Sequence, residues 1–314
     1  MSEVRIINAE TWSRYAADFG MDSALSGAAF WEDLARAFGL TCRLMAYMVN
    51  EKPVLLFPAM VSGRSIVWAL HYLPSGLQLK PGLHPIQQQE HLQSFLADLT
   101  SQYTRIDLCL SRKEKDIRPF IWQGFTYRVS YTALKELNGP LTYSQGAERN
   151  VRKDAQDGLV YRVCDREEVL DMVIADLRGY GFSNAKISGL EQWFSHASAQ
   201  GMMSFYEASD AQGHRAVACV WKDTVSREAC LIATTRRSGL SHYGLYDFLL
   251  KDLQLQGYTC IDLCGADIRP VADFKSFFRT RLDFFYVLSY RSFGHKMQRL
   301  RAALRAGLIR LLRG

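Results

Sequence analysis

The sequence predicts an α/β chain of two successive, similarly built units, each a mixed sheet flanked by helices, with a basic helix at the C-terminal end. Three observations carry that prediction. Tyr103-Thr-Arg-Ile-Asp-Leu-Cys109 returns 155 positions later as Tyr258-Thr-Cys-Ile-Asp-Leu-Cys264, and Asp116-Ile-Arg-Pro119 returns 151 positions later as Asp267-Ile-Arg-Pro270. Offsets of this size mark a duplicated domain, not a solenoid repeat. Each copy is also preceded by the same pieces, a Gly-Leu pair and then a stretch with helical spacing. Finally, 314 residues with 48% hydrophobic and 22% charged content are enough for two globular domains of roughly 150 residues each.

The first unit spans residues 1–140. Phe30 to Phe38 carries apolar residues at helical spacing and stops at Gly39, and Leu44 to Val49, Val54 to Val61 and Ile66 to Leu70 read as strands. After Gly82-Leu83, a helix over His91 to Leu99 puts Leu92, Phe95, Leu96 and Leu99 on one face. Ile106 to Cys109 is a short buried strand, and an aromatic strand ending at Tyr131 follows. Asn138-Gly139-Pro140 is the boundary turn. The second unit, residues 141–290, repeats the order. Its strands lie near Phe205 to Ala208, Ala216 to Lys222 and Glu228 to Thr234; Gly239-Leu240 precedes a helix over Tyr246 to Leu253, Ile261 to Cys264 is the buried strand, and Tyr290 ends the aromatic one.

Composition narrows the function classes. No apolar run approaches the ~20 residues of a membrane span, and Met1-Ser-Glu-Val-Arg5 lacks the apolar core of a signal peptide, so the expected compartment is the cytosol. Seven irregularly spaced cysteines, without a CxxC or HxxxH pair, fit reduced thiols and give no reason to expect a metal. Residues 291–314 hold seven basic side chains and no acid, more than the net +6 of the whole chain. There Met297, Leu300, Leu304, Leu308 and Leu311 form one apolar stripe. Such a helix lies on an anionic membrane surface, at the inner face of the membrane, or docks on its own domain with a solvated basic face, with nucleic-acid binding a third reading.

Two stretches tie this layout to a known group. Leu141-Thr-Tyr-Ser-Gln-Gly-Ala-Glu-Arg-Asn-Val-Arg-Lys-Asp-Ala-Gln-Asp-Gly158 opens the second unit, and Ser238-Gly-Leu240 leads through Ile261-Asp-Leu-Cys-Gly-Ala-Asp267 to Phe274-Lys275. In their order and spacing they resemble the FemABX-type transferases, built from two tandem domains of the GNAT acyltransferase fold. The resemblance implies transfer of an aminoacyl group from aminoacyl-tRNA to an amine of a peptidoglycan precursor, with no tightly bound cofactor. Relatives of similar architecture use acyl-CoA donors, so an acyl-CoA-dependent N-acyltransferase acting on an amino sugar or envelope lipid is the alternative. A catalytically silent binding module is a further one.

Acyl transfer to an amine needs a base for the nucleophile and a positive charge or N–H for the oxyanion. Lys275 is the candidate cation. Aligning Phe277 with Phe125 sets Gln123 opposite it, so only the second unit carries the charge. Asp262, the twin of Asp107, either serves the fold in both halves or binds the amine and acts as base. Gly265 and Ala266 admit a substrate to the backbone beside Asp267, and Arg269 belongs to the same motif. Arg236 and Gly239, in Arg236-Arg-Ser-Gly-Leu-Ser241, resemble a GNAT pyrophosphate loop in which Ser241 stands where Gly or Ala is usual; a strand-to-helix turn with solvated arginines is the other reading. Arg149, Asn150, Arg152 and Lys153 either contact phosphates, whether of a nucleotide-sugar diphosphate, a lipid diphosphate or tRNA, or form a solvated helix face. Phe278-Arg279 occupies a place where the resembled family has glycine.

Overall fold

A computed structural model describes residues 2–21, 23–235, 240–292 and 294. The first half forms β1 (Ser2–Ile6), α1 (Ala9–Asp18), α2 (Ala28–Ala37), β2 (Thr41–Val49), β3 (Lys52–Ser62), β4 (Ser65–Ile66), β5 (Gln78–Leu79), α3 (Pro85–Gln102), β6 (Arg105–Cys109), α4 (Arg118–Trp122) and β7 (Thr126–Glu136). The second half begins with α5 (Gln145–Gln156). It continues with β8 (Val160–Cys164), α6 (Arg166–Arg178), α7 (Asn184–Ala199), β9 (Met203–Ser209), β10 (Arg215–Asp223), β11 (Glu228–Thr234), α8 (Tyr243–Leu255), β12 (Cys260–Asp262), α9 (Arg269–Ser276) and β13 (Arg281–Arg291). Apart from β5 in the first half and α5 in the second, the two halves repeat one element order.

Local chemistry explains the elements. Helix α3 starts where His84 caps it and Pro85 fills the first position, whose N–H has no intrahelical partner in any case. Its buried Leu92, Phe95, Leu96 and Leu99 are the stripe expected from the sequence. Strand β3 is buried from Pro53 through Val61, as a strand covered on both faces must be. Its Leu55, Phe57, Ala59 and Val61 meet the residues of α3, while Leu56 and Met60 face the opposite core.

All strands join one sheet, in the order β1-β2-β3-β4-β6-β13-β7-β12-β11-β10-β9-β8, with β5 on β3. The last strand of each half has crossed over. Strand β13 runs antiparallel to β6 of the first half, and β7 runs antiparallel to β12 of the second. The two exchanged strands also pair with each other, from Arg281 opposite Leu134 to Ser289 opposite Thr126. The Asn138-Gly139-Pro140 turn therefore divides the halves along the chain, while in space they interlock.

Three cores result. One, containing Trp12, Trp31, Leu34, Val173, Trp193 and Phe194, joins helices α1, α2, α6 and α7 across both halves. The Phe30 ring meets Trp193 edge-on at 5.1 Å. The other two lie under α3 and under α8 respectively. Among the described residues no helix is long and apolar enough to cross a membrane. The basic helix expected over residues 291–314 lies outside the described residues except Arg291, Ser292 and Gly294.

Candidate active site

In each half two neighbouring strands run parallel and then part. Strands β11 and β12 pair only from Glu228 opposite Cys260 to Cys230 opposite Asp262, and β4 and β6 only at Ser65–Arg105 and Ile66–Ile106. Beyond the last pair the sheet opens as a wedge, and the two wedges differ.

The first-half wedge is filled by its own chain. The strand expected to continue through Leu70 ends at Ile66. Residues 67–74 instead fold into the gap, where Trp68 donates its indole N–H to the Leu73 carbonyl at 2.8 Å. Ser75 then closes it with two bonds to Cys109, at 2.8 Å each. The cavity left there is only about 20 Å³, room for a single water at most. The second-half wedge stays open as a cavity of 740 Å³. Its walls are Leu231 to Thr234 of β11, Asp262 to Gly265 after β12, the start of α8 from Leu240 to Tyr246, and Phe274 and Lys275 of α9. The first half contributes through exchanged β7, with Arg128, Ser130 and Thr132, and through His71 and Tyr72 of the filling segment, and Leu177, Tyr180 and Phe182 of the second half close the far side.

Lys275 is a buried wall residue, not a surface lysine. Its ammonium donates to the carbonyls of Leu263, Cys264 and Gly265 at 2.6, 2.5 and 3.5 Å. Those carbonyls converge because Cys264 and Gly265 both adopt left-handed backbone, φ 58° and 43°. A Cβ at Gly265 would stand 3.5 Å from the ammonium, so glycine here costs nothing in contacts and avoids strain. Arg279 also adopts φ 52°, the conformation for which glycine is usual, and its Nε donates to the Tyr143 carbonyl at 3.0 Å. Arg279 and Gly124 (φ 81°) each stand two residues before the exchanged strand. That correspondence sets Lys275 opposite fully buried Phe120, correcting the alignment with Gln123: the two helices differ in length, so registering their aromatic residues misplaces the lysine.

Asp262 accepts from the Thr132 hydroxyl of β7, from the Cys264 N–H at 2.7 Å, and faces Arg112 Nε at 3.6 Å. Asp267 likewise binds β7, accepting from Ser130 Oγ at 2.5 Å and from the Tyr131 N–H at 2.8 Å. Ala266 hangs its N–H on the Tyr131 carbonyl at 3.0 Å. Arg269 is exposed and lies 3.7 Å from Asp273, outside the cavity wall. Arg149, Arg152 and Lys153 are exposed on α5 and Asn150 is half-buried; none of the four lines the cavity. Arg236 and Gly239 lie outside the described residues, between Thr235 and Leu240.

Sequence reasoning missed the histidines. His242 gives an Nε2–H to the Thr235 carbonyl at 2.7 Å; a carbonyl can only accept, so in the neutral ring Nδ1 is the nitrogen that carries the lone pair. His71 packs on Tyr72 and Phe182, and burial, with Lys186 nearby, pushes its pKa down to about 4. Its ring is therefore neutral near pH 7. No motif surrounds either residue, and only the His-Tyr pairs at 71–72 and 242–243 echo one another. Cys230 and Cys264 stand with their sulfurs 3.1 Å apart at the point where β11 and β12 separate.

No family model matches the chain, and no curated protein is significantly similar to it in sequence. Solved structures are similar over nearly its whole length. FemX covers 90% of this chain and 96% of its own, with a TM-score of 0.60 at 11% identity. A tandem GNAT protein from the clavulanic acid biosynthesis pathway covers 93% and 98%, with a TM-score of 0.57 at 12% identity. L-PGS from Bacillus licheniformis covers 92% and 93%, with a TM-score of 0.52 at 15% identity. At these identities the likeness is one of fold. With its duplicated element order and its parting parallel strands, the chain has the tandem GNAT fold that FemX and these proteins share.

Proposed function

We propose that this chain is an acyltransferase that moves an aminoacyl or acyl group to an amine of a cell-envelope precursor of the peptidoglycan type. The observation that carries the reading is the open cavity where β11 and β12 part, opposite a first-half wedge closed by its own chain. In a duplicated fold with one filled and one open cleft, the open cleft is where chemistry has room. The neighbours FemX and L-PGS favour an envelope acceptor, and the basic stretch 291–314 would hold the chain beside an anionic membrane carrying a lipid-linked substrate.

The amine nitrogen attacks the carbonyl carbon of the donor ester; the C–N bond forms, the C–O bond then breaks, and the donor leaves as an alcohol. His242 Nδ1 takes the proton the nitrogen loses and returns it to the leaving oxygen. Lys275 supplies positive charge to the developing oxyanion and fixes the backbone on which the acyl group rests. The apolar and aromatic walls, Tyr72, Ile232, Tyr246 and Phe274 among them, exclude water that would hydrolyse the donor.

Turnover with a peptidoglycan-precursor amine, offered with aminoacyl-tRNA or with acyl-CoA, tests the reading. His242→Gln should lower kcat by roughly 10²- to 10⁴-fold without changing the fold. Ala233→Trp, which projects an indole into the cavity from β11, should lower turnover sharply. Full activity in both variants would overturn the assignment of the site.

A further inference from the structure

Cys230 and Cys264 stand at the apex of the open wedge. Cys230 sits at the last pairing of β11 with β12, opposite Asp262, and is buried. Cys264 follows β12 by two residues, is half-buried and lines the cavity. Both are free thiols with their sulfurs 3.1 Å apart. A disulfide holds its sulfurs at about 2.05 Å, so joining this pair needs a movement of about 1 Å.

The first half has no such pair. The twin of Cys264 is Cys109, 155 positions earlier. In the parallel ladders Ile66 opposite Ile106 corresponds to Ala229 opposite Ile261, which makes Val67 the twin of Cys230. Cys109 turns its thiol to the Leu110 carbonyl at 3.7 Å instead. Two thiols therefore meet in the half whose wedge stays open, and their counterparts in the closed half cannot be joined.

The turn that carries Cys264 also carries the polar groups of the cavity. Cys264 gives its N–H to Asp262 at 2.7 Å, and its carbonyl is one of the three that hold the Lys275 ammonium. The residue is left-handed, with φ 58°, so a pull on its sulfur acts on a backbone already confined to an uncommon conformation.

We propose that Cys230 and Cys264 are a reversible oxidation site: a peroxide joins them as a disulfide, and the cross-link lowers turnover by displacing the turn that holds Lys275. The bond itself does not depend on the acyl-transfer reading, while its effect on turnover rests on that reading. Cys264 reacts first because it is open to the cavity, whereas the hydrogen bond with Cys264 and burial push the pKa of the Cys230 thiol up. The Cys264 sulfur, its proton given up, attacks one peroxide oxygen; the S–O bond forms, the O–O bond breaks, and the other oxygen takes up that proton and leaves as water. Cys230 then attacks the sulfur of the sulfenic acid; the S–S bond forms, the S–O bond breaks, and the hydroxide leaves with the Cys230 proton as a second water. Two thiols thus lose two electrons to one peroxide, and a dithiol reductant reverses the bond by exchange.

The test treats the full chain with hydrogen peroxide and then with dithiothreitol, and follows it by non-reducing peptide mapping and by turnover. Wild type should gain a Cys230–Cys264 cross-link, lose turnover by roughly 10- to 10²-fold and recover it with dithiothreitol. In Cys230→Ser the reaction should stop at the Cys264 sulfenic acid, which dimedone labels and which wild type should not accumulate. Folded wild type that forms no such cross-link, or joins other cysteines in its place, would overturn the proposal even if the variant does not fold. Cross-linked protein with unchanged turnover would overturn the effect on Lys275. Absence of turnover in the reduced chain would count against the acyl-transfer reading, and the mapping would still decide whether the bond forms.

Discussion

Ser289 of β13 donates its hydroxyl to Asp107 of β6 at 2.8 Å, joining residues 182 positions apart in the chain. The second copy repeats the bond with partners exchanged: Thr132 of β7 donates to Asp262 of β12. The duplicated aspartates thus each fasten a strand contributed by the other half. Arg291 adds a second tie to Asp107 at 2.7 Å, as Arg112 does near Asp262. Asp262 consequently has a structural task that accounts for its presence in both copies, whatever substrate it meets in the cavity.

Interlocking of this kind makes the halves depend on one another. Residues 1–139 made alone would expose β7 without its ladders to β12 and β13, and β6 without its ladder to β13. We expect that fragment to aggregate, and co-expression with residues 140–314 to yield a 1:1 complex. Size-exclusion chromatography with light scattering measures this, and a monomeric, folded 1–139 fragment would contradict it.

His71 should couple stability to pH. Its folded pKa is about 4, below the ordinary value of 6.5, so between these limits the unfolded chain takes up a proton that the folded chain refuses. Its contribution is intact above pH 6.5 and is lost as pH falls toward 4, by at most ~3 kcal/mol. Urea unfolding of wild type and His71→Gln from pH 7.5 to 4 should show the gap between them shift in favour of the variant on acidification. Parallel stability curves would show that His71 does not titrate as described.

Close packing at the start of α8 gives a third expectation. Gly244→Ala places a methyl group 1.9 Å from Tyr161 Oη and 2.5 Å from its Cζ, an overpacking that costs ~1–3 kcal/mol. Tyr161→Ala should remove most of that cost in the double variant, and a double-mutant cycle by chemical denaturation reads the coupling. Additive effects would mean that the two groups do not touch. Tyr161→Phe alone should be neutral or stabilising, because the hydroxyl is buried without a partner.

The repeated motif made the duplicated fold legible, and helical spacing located α3 and α8, because both signals are local. Strand exchange leaves no such mark. Each aromatic strand reads the same whichever neighbour it pairs with, and the choice between β6 and β12 is made by distant edges. For the site, the duplicated motif led to Asp262, Gly265, Asp267 and Lys275. It could not lead to His71, Tyr72 or Arg128, which reach the cavity only because of how the first half is threaded.

The segment from Val67 to Pro74 has one further consequence. It fills the cleft of its own half, yet its His71 and Tyr72 stand in the wall of the other cleft, where Tyr72 Oη accepts the Trp193 indole N–H at 3.0 Å. The first half is therefore a moulding for the open cleft of the second, and its sequence is not free to drift as a spare part would be. Substitutions deep in the first half, far from any reacting atom, should register as altered substrate preference before they register as loss of fold.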